Sequence, residues 1–287
     1  MKLGVFTQWI KADSIEELAM KVRSYNLECV VLDSYPGLDI NLDDPEPALG
    51  ERIKQAFAKA GVEIAAIGGY SNLLHQDPEA RENVHRRFVG LMKLCQQVGS
   101  PMLCSETGTF HPSSDWDWDP ANSNEGALTA LIETVRPLAE TAKKYGVILG
   151  FEPYVMNVAY SAERAARFVK ELGADNVQLV ADPAGFLDKI SLTKQEEEIP
   201  KAFEAMAPHL GLVHVEDCLP DPNGHFLFKG SGHGMLDYTI FMEQVARTGY
   251  KGPLILEHLN EDEVAGAREY VLKHWNEAKK KVESGLV

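Results

Sequence analysis

Four polar side chains stand where this 287-residue sequence is otherwise most apolar. The run VILGF (147–151) ends in Glu152 and Pro153, and VQLVA (177–181) ends in Asp182 and Pro183. LVHV (212–215) contains His214 with Glu216 and Asp217 directly after it, and PLILE (253–257) ends in Glu257, followed by His258. A buried carboxylate without a partner is costly, and three that crowd together need a cation. Three hard oxygen donors and one imidazole suit Mn²⁺, Mg²⁺ or Co²⁺ better than a closed cysteine-rich zinc site, although Zn²⁺ also accepts such a set. Singly, an acid at a strand end is more often a helix cap or an ion-pair partner. A histidine in an apolar run is more often a hydrogen-bonded core residue. The repetition over four successive runs is what points to one shared site.

The elements that must position these residues follow from periodicity. Short apolar runs alternate with longer amphipathic stretches, the signature of repeated βαβ units. Strands are expected at 3–6, 29–32, 62–67, 101–105, 147–151, 177–181, 212–215 and 253–257. Helix starts are marked by Ser14 with Glu17 as a capping box, by Asp77-Pro78 and by Ser161. Helix ends are marked by Gly61, Gly99, Gly146, Gly173 and Gly249. Pro, Gly and Ser never mass into a linker, so a single domain over residues 1–287 is expected. Eight strand–helix units with right-handed crossovers close most naturally into an α/β (β/α)8 TIM barrel. The alternative, an open doubly wound sheet, lacks a GxGxxG after its first strand. In a barrel the C-terminal strand ends surround one mouth, so Glu152, Asp182, His214 and Glu257 would converge there from strands five to eight.

Composition narrows the partners. With 28 basic against 43 acidic residues the formal charge is -15, and no basic stripe offsets it, so nucleic acid is not an expected partner. No stretch of eighteen apolar residues is present, and MKLGVFTQWIKAD lacks the pattern of a signal peptide, so no membrane partner and a cytoplasmic location are expected. Cys29, Cys95, Cys104 and Cys218 form no CxxC pair, which argues against a zinc ribbon or a disulfide framework.

The segments GVILGFEPY, VQLVADPAGF, LVHVED and GYKGPLILEH resemble the successive metal-ligand segments of the sugar phosphate isomerase/epimerase family. These are xylose isomerase-like TIM barrels that include ketose 3-epimerases, inosose dehydratases and endonuclease IV. SNLLHQDPEAR (71–81) and residues 230–258 extend the likeness over most of the chain. The resemblance implies one divalent ion, foremost Mn²⁺, held by Glu152, Asp182, His214 and Glu257, with Glu152 and Glu257 as the acid/base pair. The implied reaction is isomerisation or epimerisation of a sugar or keto-sugar: a proton next to a carbonyl is removed and returned through an enediolate. A dehydratase or a C-glycoside deglycosidase-like lyase shares the first half of that chemistry and is the alternative. A non-catalytic sugar-binding barrel is the third reading, and the nuclease branch, which needs more ligands, is the last. Resemblance also raises the expectation of a homo-oligomer. One departure is visible. Ketose 3-epimerases of the allulose type carry an arginine shortly after the strand-seven histidine, whereas this chain reads His214-Val215-Glu216-Asp217-Cys218-Leu219-Pro220.

Residues placed after the other strands are expected to shape the substrate pocket: Trp9, Tyr70, His75, Glu106, His111, Glu216, Lys229 and His233. Tyr35 and Asn72 hold similar positions. Trp9 or a member of DWDWDP (115–120) could stack on a sugar face, though an aromatic plugging the barrel rim is the plainer account. Residues 107–124 are long for a strand-to-helix connection and read as a lid or an oligomer contact. The glycines of KGSGHGMLD are also accounted for by tight turns, and KQEEEIPK (194–201) reads as a solvated helix start.

Overall fold

The apolar runs form strands that water reaches on neither face, which is why they read as continuous rather than alternating. The computed structural model of the protein describes residues 1–221 and 226–285. Its strands are β1 (Leu3–Phe6), β2 (Cys29–Leu32), β3 (Glu63–Gly68), β4 (Met102–Glu106), β5 (Ile148–Glu152), β6 (Val177–Ala181), β7 (Leu210–Pro220), β8 (Phe226–Gly230) and β9 (Leu254–Leu256). β1 to β7 pair in parallel in chain order, and β9 pairs in parallel with both β7 and β1, which closes an eight-stranded ring. The helices are α1 (Ile15–Ser24), α2 (Pro47–Ala60), α3 (Pro78–Val98), α4 (Glu125–Tyr145), α5 (Ala162–Leu172), α6 (Pro183–Phe186), α7 (Gln195–Met206), α8 (Tyr238–Arg247) and α9 (Val264–Glu283). The expected (β/α)8 TIM barrel is the fold observed.

Helix starts obey the local chemistry. Ser14 accepts the N–H of Glu17, Asp77 those of Glu79 and Ala80, and Ser161 that of Arg164. The return half of the Ser14 box differs from expectation, because the Glu17 carboxylate takes the N–H of Asp13 instead. The barrel interior is filled by Phe6, Cys29, Val31, Met102, Cys104, Val180, Leu212 and Ile255, while a larger apolar layer joins strands to helices. All four cysteines are free and buried. Among the described residues no helix is long and apolar enough to cross a membrane.

One element goes beyond the eight expected strands. β7 runs past the barrel to Pro220 and folds against β8 as an antiparallel ribbon, with Glu216 opposite Gly230 and Pro220 opposite Phe226. The turn after β8 is organised by the buried Asp217. Its Oδ1 accepts the N–H groups of Cys218 and Leu236 (2.9 Å each), and its Oδ2 accepts that of Gly232 (3.2 Å). A Cβ on Gly234 would lie 2.2 Å from Asp217 Oδ1, so only glycine lets the chain wrap that carboxylate. The glycines of this segment serve Asp217 and the ribbon.

Candidate metal centre

The ends of β5, β6, β7 and β9 bring four side chains together at the C-terminal mouth. Ligand atoms of Glu152, Asp182 and His214 all lie within 4.8 Å of one another. His214 Nδ1 is 3.1 Å from Glu152 Oε2 and 3.2 Å from Glu257 Oε2, so the fourth residue joins the same cluster. All four are buried. Asp182 is aimed by its own backbone, since its Oδ1 caps α6 by accepting the N–H of Ala184 (3.0 Å). Tyr70 holds Glu152 by donating its hydroxyl to Oε2 (2.7 Å).

Several polar atoms here have no hydrogen-bond partner. Asp182 Oδ2, His214 Nδ1 and Nε2, and Glu257 Oε2 are all buried and make no aligned hydrogen bond among the described residues, the carboxylates beside Nδ1 meeting it as charges. Buried polar atoms are almost always satisfied, and these converge on one point with the donor chemistry of a hard divalent cation. The residues therefore fit such an ion. Electrostatics agree. Burial and the Glu152 charge push Asp182 well above the ordinary carboxylate range. Burial favours the neutral form of His214, yet the two glutamates beside it raise it to about 10. Burial works against ionised Glu152, but His214 and the Tyr70 hydroxyl more than offset it and hold that carboxyl below its usual value. The cluster thus carries a deficit of positive charge that a metal ion would supply.

Above the centre lies a cavity of about 500 Å³. Tyr70, Glu106 and Glu216 line it, together with Asp33, Tyr154, Trp116, Phe228 and His258. Asn157 donates to Glu106 Oε2 (2.8 Å), while burial and the neighbouring Glu152 push Glu106 well above its usual range. Burial, with Asp182 and Glu257 close by, does the same to Glu216. Trp9 is not on the cavity wall. Its ring packs against that of His258 at 5.3 Å, and its buried indole Nε1 has no partner among the described residues. His75 accepts the N–H of Asp77 and lies 3.7 Å from Asp115, and His111 accepts the N–H of Ser113, so both belong to rim turns. Lys229 sits on β8 opposite Asp217, and His233 is exposed in the following turn. Neither lines the cavity. Tyr35 packs against the outer core, and Asn72 is a structural hub of the loops.

Asp33 and His258 are cavity residues that the sequence reading passes over. Asp33 carries the same mark as Glu152, an acid directly after an apolar run. It accepts from the Thr7 hydroxyl (2.8 Å) and the Gln8 N–H (2.9 Å). His258 follows Glu257 but sits in no periodic pattern, so only the backbone turn after β9 reveals where it points.

A D-psicose 3-epimerase from Enterocloster bolteae is 25% identical over 192 residues, a match spanning 65% of this chain and 57% of that relative. The structure of an L-ribulose 3-epimerase superposes with a TM-score of 0.76 at 16% identity, covering 100% of this chain and 98% of that one. A xylose isomerase-like TIM barrel protein from Mycobacterium smegmatis in complex with magnesium superposes with a TM-score of 0.69 at 17% identity, covering 97% of each chain. The sequence also matches the xylose isomerase-like TIM barrel family over residues 45–279. With that match spanning most of its length, the chain belongs to the xylose isomerase-like TIM barrel family.

Proposed function

We propose that the protein is a divalent-metal-dependent epimerase or isomerase of a keto-sugar. The observation that carries this is the convergence of unpartnered, buried Asp182 Oδ2, His214 Nδ1 and Glu257 Oε2 beneath a sugar-sized cavity. The kinship with D-psicose and L-ribulose 3-epimerases supports the substrate class. Glu152, Asp182, His214 and Glu257 would hold the ion. When bound, it would polarise the substrate's carbonyl and adjacent hydroxyl oxygens.

The protein's own residues do the rest. Glu152 and Glu257 both reach His214 Nδ1 and are the pair that removes and returns the proton on the carbon next to the carbonyl. Tyr70 keeps Glu152 in place through its hydroxyl. Glu106, fixed by Asn157, and Asp33, fixed by Thr7 and the Gln8 amide, offer acceptors to sugar hydroxyls on other walls of the cavity. Among the described residues the lining contains no lysine or arginine, which suits an unphosphorylated sugar.

The test couples metal content to exchange. Elemental analysis should give about one divalent ion per chain, lost in Glu152→Gln and Asp182→Asn. The loaded protein should exchange solvent deuterium into one of a panel of keto-sugars beginning with D-psicose and D-fructose, and chelator should stop it. Metal retained by both variants would mean that these acids are structural. A product lighter by one water would move the assignment to the dehydratase alternative.

A further inference from the structure

His258 is the residue that the geometry leaves without a task. It directly follows Glu257 and adopts a left-handed backbone (φ 49°), which a non-glycine side chain occupies only at a cost, histidine being among the less disfavoured. Three contacts hold it there. Its Nδ1 is hydrogen-bonded to the Glu216 carboxylate. One ring face stacks on Phe228 of β8 at 4.9 Å and 29°. Trp9 packs against it at 5.3 Å. Glu216 is itself aimed inward because it lies two residues beyond His214 on β7, and side chains two apart share a face of a strand. The extension of β7 and its pairing with β8 therefore place both the carboxylate that grips the ring and the aromatic that covers it.

With Nδ1 engaged and the ring flanked by Phe228 and Trp9, Nε2 is the remaining polar atom. It has no protein partner among the described residues, and the side chain lines the cavity. Resting on the keto-sugar reading above, we propose that His258 is a specificity-determining residue whose Nε2 hydrogen-bonds a sugar hydroxyl away from the reacting carbon. The ribbon of β7 and β8 is then the device that orients the sugar, while the four-residue centre performs the chemistry.

The test uses the metal-loaded full-length protein with D-fructose and a series of D-fructose analogues each lacking one hydroxyl, read by calorimetric binding and by deuterium exchange. His258→Asn tolerates the left-handed backbone but does not reach as far into the cavity; His258→Gly relieves the backbone altogether and serves if the first variant misfolds. Both should keep the wild-type metal content. Each should weaken D-fructose binding roughly tenfold, the loss falling on KM more than on kcat. One analogue should also bind the wild type roughly tenfold more weakly than D-fructose yet bind the variants as D-fructose does, because the hydroxyl and its partner are lost only once. A merely structural role would lower binding of every analogue alike, and that result overturns the proposal. So does unchanged D-fructose binding. A wild-type protein that is metal-loaded but binds none of these sugars overturns the keto-sugar reading and this inference together.

Discussion

The barrel mouth contains two buried polar regions that could hardly be treated more differently. Under the loops after β3, β4 and β5, Asn72, Asn122 and Asn157 form a scaffold in which both ends of every amide are used. Asn72 accepts from Leu74 and Thr109 and donates to the Thr109 carbonyl. Asn122 accepts from Phe110 and donates to Thr109 Oγ1 and the Met156 carbonyl. Asn157 accepts from Gly108 and Thr107 and donates to Glu106. At the ends of β5, β6, β7 and β9, by contrast, Asp182, His214 and Glu257 bury atoms that make no aligned hydrogen bond among the described residues. Burying a polar group is inexpensive when it is paired and costly when it is not. The first region therefore explains itself as architecture, and the second has the donor chemistry of an ion site.

That contrast can be broken or sharpened. The largest effect is expected at the unsatisfied centre. Glu257→Gln keeps the shape and removes the base, so deuterium exchange into substrate should fall by about a thousandfold with the fold intact by circular dichroism. Turnover at the wild-type rate would remove Glu257 from the chemistry. Next comes the scaffold: Asn157→Ala strips partners from Gly108, Thr107 and Glu106 at once, and denaturant unfolding should show a loss of about 2–3 kcal/mol. Its metal content should stay at the wild-type level; loss of the ion would show that the two regions are not separable.

The smallest effect is expected at Asp33. Burial raises its carboxyl from 3.8 to about 6, against the hydrogen bonds from Thr7 and Gln8. A raised folded-state value means that the group's favourable contribution is complete below its unfolded value and is lost as pH rises through about 6. Asp33→Asn keeps an acceptor without the charge. It should be more stable than wild type by about 1 kcal/mol near pH 8 and indistinguishable near pH 4 by thermal melts. An advantage that grew toward acid would reverse the assigned sign.

Much of this architecture can be read from the chain because barrel strands are uniformly apolar and their ends are punctuated. CVVL (29–32) and VQLVA (177–181) have the expected bounds, and Glu152, Asp182 and Glu257 stand out as acids that stop such runs. The ribbon escapes that logic. Val215 and Cys218 continue β7 through Glu216 and Asp217, and a run that mixes buried acids with apolar residues matches neither a core strand nor an alternating one. Its pairing with β8 is a tertiary fact. The pocket histidines divide for the same reason. His75, His111 and His233 are conspicuous in loops, yet turn geometry keeps them out of the cavity. His258 reaches it through a backbone conformation that composition does not encode.

The way the ring is joined carries a consequence for the proposed ion site. β9 is the last strand in the chain, and it is inserted between β7 and β1, the two edges that every earlier strand leaves open. Glu257 directly follows β9, so the fourth acid of the proposed ion site joins Glu152, Asp182 and His214 only in the closed barrel. On the proposed assignment an ion there would act as a latch across the seam, tying the strand that closes the ring to β5, β6 and β7.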